Sequence, residues 1–391
     1  MNTAVAAFLG RHNFSVHQDI NPIVDAMLYD FDQGLKKKKI GSEMIRTFTT
    51  PPSQAAAGKS FIVIDAGGTN FRSCLVSFDA KGTPSISNLE KTSMPGIQRE
   101  LSKKEFFDQI ASNLEHLKGA SENIGFCFSY PVTILENGDG VLINFTKEVK
   151  APEVEGCTIG KELAAALKEH GWSGNLNIRL LNDTVSALLA GAADVDEGME
   201  YSSYVGFILG TGMNGAYIQN EDPSYPGLKK QIINCECGKF DMVARSDFDY
   251  SFDKKSDKPG IGIMEKLCSG AYLGPVAYEM LVAAGKEKLF ADDVSLTFEI
   301  KELQPKNNKN SSISSIFVCS VAIRVKLPST EEISAIVLFS SSICRQALSL
   351  PVLYLKALKI RGISGENSPL ISTSFIISLI ILNFATAVTS Y

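Results

Sequence analysis

The apolar run FIVI begins at Phe61 and is followed by an acid, an alanine, two glycines and a threonine, in the order DAGGT. Because glycine has no Cβ, a glycine turn lets the backbone come close to phosphate oxygens. An acid at a strand end can hold Mg²⁺ through water, and the planar fork of an arginine can bind a phosphate. The candidates for these roles are Asp65, Ala66, Gly67, Gly68, Thr69, Asn70 and Arg72. A plain Gly-Gly β-hairpin is the alternative interpretation.

A second glycine turn follows the apolar run VGFIL and contains Gly210, Thr211 and Gly212. This turn could contact the far side of a phosphate chain, because its backbone is equally unobstructed. Two turns of this kind indicate two lobes that face one nucleotide. The pairing weakens the hairpin interpretation of the first turn.

A third polar cluster lies between these turns, where the apolar run before Asn182 gives way to Asp183 and Thr184. An acid at this strand end could accept a proton from a substrate hydroxyl as the oxygen attacks phosphorus. The alternative is a helix N-cap, for which Asn, Asp and Thr are all favoured. Taken alone, the cluster fits the N-cap better.

Apolar periodicity predicts the elements that must position these residues. Strands are expected at 61–65, 72–78, 124–129, 178–182 and 203–209, and helices within 4–48 and at 104–118, 159–169, 184–191 and 262–285. Such alternation of strands and helices is typical of α/β layers, in which sites lie at strand ends.

Composition limits the classes of partner. The chain has 391 residues, 45% of them hydrophobic, and a formal net charge of −5. This charge gives no general attraction to nucleic acids or acidic membranes, so neither is expected as a partner. The eight cysteines are scattered, several within apolar runs, which suits reduced thiols in a cytoplasmic protein. The first residues lack the features of a signal peptide, and the oligomeric state is left open.

Six motifs occur in order, and two of them contain the Asn182 cluster and the Gly210 turn described above. They are Phe128–Pro131 (FSYP), Asn144–Lys147 (NFTK), Asn182–Thr184 (NDT), Gly210–Asn214 (GTGMN), Asn234–Gly238 (NCECG) and Glu265–Gly274 (EKLCSGAYLG). Together with the turn after Phe61, they resemble the eukaryotic-type hexokinase family, which belongs to the sugar-kinase, Hsp70 and actin fold group. The resemblance extends over residues 61–274.

This resemblance implies an α/β fold of the two-lobed actin-like (ribonuclease H-like) type, with a mixed sheet flanked by helices in each lobe. It implies an enzyme that transfers the γ-phosphate of MgATP to the 6-hydroxyl of glucose, or of a similar hexose such as mannose or fructose, as the first step of glycolysis. Asp183 would be the catalytic base, assisted by Lys147.

The family's ligand-binding residues carry over to matching positions of this sequence. The hexose ligands would be Ser129, Thr146, Lys147, Asn182, Asp183, Asn214, Glu236 and Glu265. The MgATP site would contain Asp65 through Asn70, Arg72, Gly210, Thr211 and Gly212, with Asp65 holding Mg²⁺ through water.

The chain divides by composition and motif into four predicted regions. These are an N-terminal helical segment (1–55), a small lobe (56–181), an incomplete large lobe (182–303) and an atypical tail (304–391). Of 31 glycines only Gly362 and Gly365 fall in the tail, and no aspartate follows Asp293. The family's adenosine-binding turns need both residue types, so the tail does not supply them.

Two hypotheses account for the tail: the reading frame is lost near Lys306–Asn310, or the tail is a genuine divergent segment. Residues 367–391 carry no charge, which makes them a weak candidate for a membrane tail anchor. The alternative function is then a catalytically impaired or non-enzymatic sugar-binding protein that lacks the adenosine site. A sugar kinase with another acceptor, such as fructose or an amino sugar, is a third interpretation.

Overall fold

The structure is a computed structural model. It describes residues 3–15, 19–38, 41–51, 56–145, 149–193, 203–210 and 212–289, together with the backbone of three strand segments at 295–302, 319–326 and 332–336.

Eight α-helices lie in the described ranges: α1 (Thr3–Arg11), α2 (Ile20–Leu35), α3 (Lys103–Asn113), α4 (Ile159–Glu169), α5 (Asp183–Ala193), α6 (Asp247–Asp253), α7 (Ile263–Cys268) and α8 (Gly270–Lys286). The strands of the same ranges are β1 (Ile45–Arg46), β2 (Ser60–Gly67), β3 (Asn70–Phe78), β4 (Pro84–Ser93), β5 (Asn123–Phe128), β6 (Val132–Ile134), β7 (Gly140–Leu142), β8 (Asn177–Leu181), β9 (Val205–Leu209), β10 (Met213–Gln219), β11 (Gln231–Asn234), β12 (Ser295–Glu302), β13 (Cys319–Lys326) and β14 (Glu332–Ile336).

The chain separates into two structural units. The five-stranded unit contains Ile45–Gly206 and Ala216–Asn234. The helical unit contains the described residues of Met1–Met44, Phe207–Gly215 and the chain from Cys235 onward.

The five-stranded unit is built on a mixed sheet with the order β4-β3-β2-β5-β8. Strands β2, β5 and β8 run parallel, whereas β3 pairs antiparallel with both β2 and β4. Successive side chains of a strand point to opposite faces. On β2 this alternation buries Ile62, Ile64 and Ala66 and places Asp65 on the other face.

The core of this unit lies between the sheet and helices α3 and α4. Phe126 and Phe128 of β5 belong to the same buried cluster as Phe106 of α3 and Leu163 of α4. Helix α3 starts with a capping box, in which the Ser102 side chain and Glu105 satisfy each other's backbone amides. The apolar face of the sheet is therefore covered, and the polar strand ends are left for a site.

The helical unit has a separate apolar cluster that joins α1, α6 and α8 through Phe8, Phe248 and Ala284. Asp30 of α2 is completely buried and accepts the backbone amides of Gly41 and Ser42, at 3.1 and 2.8 Å. Those hydrogen bonds satisfy a carboxylate that would otherwise be costly to bury.

A second sheet has the order β1-β11-β10-β9. Strand β11 pairs antiparallel with both β1 and β10, although β1 lies far from it in the sequence. Strands β12, β13 and β14 form a three-stranded antiparallel sheet.

The predicted strands and helices of residues 61–209 all occur, with ends shifted by a few residues. The predicted single helix at 262–285 is wrong. Ser269 adopts an extended conformation (φ −89°, ψ 159°) and separates α7 from α8. Strand β4 was missed because nine of its ten residues are exposed, so it lacks the apolar alternation that marks a half-buried strand.

Two predictions for the tail fall on residues outside the described ranges. These are the suspected loss of frame near Lys306–Asn310 and the apolar segment 367–391. None of the described helices combines the length and apolarity that a membrane span requires.

Candidate active site

The first glycine turn is the tip of the β2–β3 hairpin. Gly67 pairs with Asn70, so Gly68 and Thr69 form a two-residue loop in which Gly68 has a φ of +61°. Only glycine adopts such a conformation without strain. The alternative interpretation, a Gly-Gly hairpin, thus describes the backbone correctly, and phosphate binding at this turn stays a prediction.

The FSYP motif lies beside this turn. The backbone amide of Ser129 donates to the carbonyl of Ala66 at 3.1 Å. A Cβ on Gly67 would lie 3.2 Å from Oγ of Ser129, and the Tyr130 hydroxyl donates to the carbonyl of Gly68 at 3.2 Å. The structure therefore brings the candidate hexose ligand Ser129 next to the candidate phosphate turn.

The two charged residues of the hairpin bind each other. Asp65 and Arg72 are opposite in the β2–β3 register, and Nη1 of Arg72 lies 2.7 Å from Oδ2 of Asp65. Both side chains are partly exposed, at 42% and 37%, so the pair adds little to stability. The separate roles predicted for them, Mg²⁺ and phosphate binding, would both have to coexist with this pair.

Asn182 and Asp183 lie where β8 ends and α5 begins. The Thr184 amide donates to Oδ1 of Asn182 at 2.9 Å, which is an N-cap contact. Oδ1 of Asp183 accepts the amide and the hydroxyl of Thr184, at 2.8 and 3.2 Å. Among the described residues Oδ2 of Asp183 has no hydrogen-bond partner. The N-cap interpretation therefore holds for Asn182 and leaves one oxygen of Asp183 available.

Cys127 lies near both candidate carboxylates of this unit. It is opposite Asp65 in the parallel β2–β5 register and opposite Leu181, the end of β8, on its other side. Burial, together with the negative charges of Asp65 and Asp183, raises the pKa of the Cys127 thiol to about 12. The thiol is therefore neutral at ordinary pH, and both carboxylates lie at the same edge of the sheet.

We call this set the hairpin group. Its members are Asp65, Gly67, Gly68, Thr69, Asn70, Arg72, Cys127, Ser129, Asn182 and Asp183.

The second set, the glutamate group, lies within the helical unit. Its members are Gly210, Gly212, Met213, Asn214, Glu236, Gly238 and Glu265. The Gly210 amide donates to the carbonyl of Gly212 at 2.9 Å, which closes the turn. The Gly210 carbonyl accepts the amide of Gly270, the first residue of α8, at 2.7 Å.

Glu265 is held against the strand that follows this turn. Its Oε2 atom accepts the Met213 amide at 2.9 Å. A Cβ on Gly212 would lie 2.6 Å from the same oxygen, and a Cβ on Gly238 would lie 2.7 Å from the Met213 carbonyl oxygen. Both glycines are therefore needed for the close approach of Glu265 to the backbone.

Glu236 has an unusual backbone conformation, with a φ of +53° in the left-handed region. Its Oε1 atom lies 3.4 Å from Nδ2 of Asn214, and its Oε2 atom lies 3.5 Å from Nζ of Lys239. Lys239 also binds Glu43 at 2.6 Å. Strained non-glycine residues concentrate at functional sites, which supports Glu236 as a ligand candidate.

The structure thus brings the predicted residues together in two sets, one in each unit. Thr146, Lys147 and Thr211 lie outside the described residues. Four residues in or beside these two sets were not predicted from the sequence as site residues: Cys127, Tyr130, Gly238 and Lys239. Tyr130 and Gly238 belong to the FSYP and NCECG motifs, so the motifs themselves could have identified these two residues as site candidates. The contacts of Cys127 and Lys239 depend on strand register and on residues distant in the sequence.

No group of three or more His, Cys, Asp and Glu side chains in the described ranges is arranged to hold a metal ion. Mg²⁺ is normally bound by one or two carboxylates together with waters and substrate phosphates. The donor set at the hairpin group, Asp65 and Asp183 at one sheet edge, fits that mode of binding.

Comparisons with known proteins agree with these observations. Two family models, both described as hexokinase, match residues 9–193 and 204–350. Hexokinase-5 of Oryza sativa subsp. japonica is 32% identical over 295 residues, which cover 70% of this chain and 57% of that protein. Hexokinase-1 of Schizosaccharomyces pombe is 31% identical over 284 residues, covering 67% and 57%. A solved Schistosoma mansoni hexokinase, complexed with glucose, has a TM-score of 0.56 and 26% identity, and covers 73% of this chain and 67% of that chain.

The chain belongs to the hexokinase family, and its fold is the α/β, two-lobed actin-like fold. The predictions of family and fold class are therefore confirmed. The chain spans less than two thirds of the length of the curated relatives that it matches. The match of the second family model ends at residue 350, so it includes part of the segment 304–391.

Proposed function

We propose that this chain is a hexose kinase that transfers the γ-phosphate of MgATP to the 6-hydroxyl of glucose, the first step of glycolysis. Mannose and fructose are further candidate acceptors. The observation that carries the proposal is Asp183, a partly buried carboxylate at a strand end with one oxygen fixed by Thr184 and the other available.

Asp183 is the proposed general base. Its Oδ2 atom takes the proton from the hexose hydroxyl while the hydroxyl oxygen forms a bond to the γ-phosphorus. The bond from phosphorus to the bridging oxygen breaks, and ADP leaves. The hydrogen bonds from Thr184 to Oδ1 fix the rotamer of the carboxylate, so that less orientational freedom is lost in the transition state.

The remaining hydroxyls of a hexose need partners that both accept and donate hydrogen bonds. Carboxylates, carboxamides and hydroxyls supply them, and a buried partner left unpaired costs about 1–3 kcal/mol, which creates selectivity. The proposed hexose ligands are Ser129, Asn182, Asn214, Glu236 and Glu265, with Thr146 and Lys147.

MgATP is the proposed phosphoryl donor. Its phosphates would bind the two glycine turns, Asp65 would hold Mg²⁺ through water, and Arg72 would face phosphate oxygens. Phosphoryl transfer depends on positioning and charge neutralisation more than on covalent help from the protein. The unpaired thiols of the described cysteines suit the cytoplasm as the compartment of this reaction.

The test is glucose-dependent ADP release by the full chain, with titration calorimetry for glucose binding. Asp183→Asn keeps the shape of the side chain and removes the base, so we expect turnover to fall by about 10²–10⁴-fold while glucose still binds. Asp25→Asn, on an exposed position of α2, is the matched control.

Three results would refute parts of the proposal. Turnover that survives in Asp183→Asn would refute the role of Asp183. Glucose binding without turnover in the wild-type chain would identify a sugar-binding protein that does not transfer phosphate. Absence of glucose binding would refute the hexose site itself.

A further inference from the structure

Lys266 follows the candidate hexose ligand Glu265 and is buried, with 7% of its surface exposed. Its ammonium group donates to Oδ1 of Asp253 at 2.5 Å, to Oγ of Ser256 at 2.8 Å and to the Lys258 carbonyl at 2.7 Å. An ammonium group has three N–H donors, and all three are used here. A buried lysine is tolerated only when it is satisfied in this way.

Asp253, the last residue of α6, also binds the segment that connects α6 to α7. Its carboxylate accepts the Gly260 amide at 3.1 and 3.0 Å. A second cation, Arg245, lies 3.6 Å from Oδ2 and stacks on the ring of Tyr250. Burial alone would raise the pKa of Asp253, but the hydrogen bonds of Lys266 and Gly260 and the two cations lower it overall. The Lys266–Asp253 ion pair thus holds this segment at three residues: Lys266 binds Ser256 and Lys258, and Asp253 binds Gly260.

Helix α7 is held by this ion pair together with its buried residues Ile263 and Met264, and the Met264 amide donates to the Phe240 carbonyl at 3.0 Å. It has only six residues, too few to be stable alone, and it begins after Gly262, which has a φ of +70°. Neighbouring residues of a helix point in different directions, so Lys266 can anchor the helix while Glu265 reaches the Met213 amide.

We propose that Lys266, through Asp253, is a positioning residue for the hexose site: it anchors α7 so that Glu265 is held where it can bind a hexose hydroxyl. This inference rests on the proposed function and assigns Lys266 no contact with the sugar. A displacement of about 1 Å at a binding group can cost on the order of 10²-fold in activity, so loss of the anchor has a measurable effect on the site.

The test measures glucose binding by titration calorimetry with the full chain, at a temperature where each variant is shown to be folded. We expect Lys266→Met to weaken glucose binding by about 10–100-fold. Lys254→Met is the matched control, because Lys254 is exposed at the start of the same connection, and it should bind glucose like the wild type.

A double variant separates positioning from stability. Lys266→Met with Asp253→Asn removes both charges of the pair and keeps a side-chain oxygen that can accept the Gly260 amide, whereas Lys266→Met alone leaves the Asp253 carboxylate without its lysine. We expect this variant to melt closer to the wild type than Lys266→Met does, yet to bind glucose as weakly. Wild-type affinity in the double variant, or in a folded Lys266→Met, would overturn the inference.

Failure of the proposed function gives a different result. A wild-type chain that binds no glucose refutes the hexose site, and this inference with it. A wild-type chain that binds glucose, compared with a Lys266→Met chain that binds it equally well, refutes only the role of Lys266.

Discussion

Gly238→Ala should disturb the glutamate group by adding a single methyl group. The new Cβ would lie 2.7 Å from the carbonyl oxygen of Met213 and 3.1 Å from Cβ of Glu265. The first distance is shorter than real Cβ atoms tolerate, and the obstacle is backbone, which cannot rotate away. Met213 would have to move by about half an ångström to restore van der Waals contact. The same residue donates its amide to Glu265, so that hydrogen bond moves with it.

Overpacking a well-packed site by a methyl group costs about 1–3 kcal/mol. If the distortion fell entirely on glucose binding, affinity would weaken by about 5- to 150-fold, because about 1.4 kcal/mol corresponds to a factor of ten. If it fell entirely on folding, the melting temperature would drop by about 2–12 °C for a domain of this size. We expect both quantities to change within these limits.

Calorimetric glucose titration and thermal melting of the full chain measure the two effects. Gly10→Ala is the matched control, since Gly10 lies in α1 of the same unit and, apart from its chain neighbours and its own helix backbone, no described heavy atom lies within 4 Å of the added Cβ. In a helix that change should be neutral or stabilising by up to about 1 kcal/mol. If Gly238→Ala matched the wild type in both melting temperature and affinity, the close packing of Gly238 against Met213 would be refuted.

Two further predictions concern titratable groups. Burial opposes ionisation of Asp253 and Glu279, but their hydrogen bonds and cationic partners keep both pKa values below the ordinary 3.8 and 4.5. A lowered pKa stabilises the fold above the unfolded value, so the melting temperature should fall as the pH drops from about 5 to 3; a flat profile would contradict this. Burial raises the pKa of Cys127 and Cys237 to about 12, so both thiols should be alkylated at pH 8 at least tenfold more slowly in the native than in the urea-denatured chain. Peptide mapping measures both rates, and equal rates would show that these thiols are exposed.

The parts of the fold that the sequence predicted are those with strong local signals. Strand β2 alternates Ile62, Ile64 and Ala66 toward the core, and its turn contains glycines that a tight hairpin needs. Asn182 and Asp183 were located because an apolar run ends directly before them. Period-2 alternation and turn chemistry are readable in a window of about ten residues.

The contacts that define the site geometry were not predictable in this way. The pairing of Asp65 with Arg72 depends on the register across the hairpin, which shifts every side chain to the other face if it slips by one residue. The contact between Lys266 and Asp253 depends on how the segment between α6 and α7 folds, which brings residues 13 positions apart together. In the sequence, Glu265 and Lys266 have the pattern of an ordinary surface helix pair, and only the three buried donors of Lys266 distinguish it.

The charges of the hairpin group bear on the form of the nucleotide in the proposed reaction. Asp65 and Asp183 carry two negative charges, Arg72 carries one positive charge, and the Cys127 thiol between the carboxylates is neutral, which leaves the described members of the group with a net charge of −1. A free nucleoside triphosphate would meet two carboxylates and one guanidinium already engaged by Asp65. A triphosphate bound to Mg²⁺ would bring a cation for Asp183, the carboxylate that has no cationic partner among the described members of the group. Carboxylate oxygens bind Mg²⁺ directly or through water. In the proposed reaction the group would therefore bind MgATP better than uncomplexed ATP. The Arg72–Asp65 pair supplies the reason, because it already occupies the guanidinium that a free triphosphate would need.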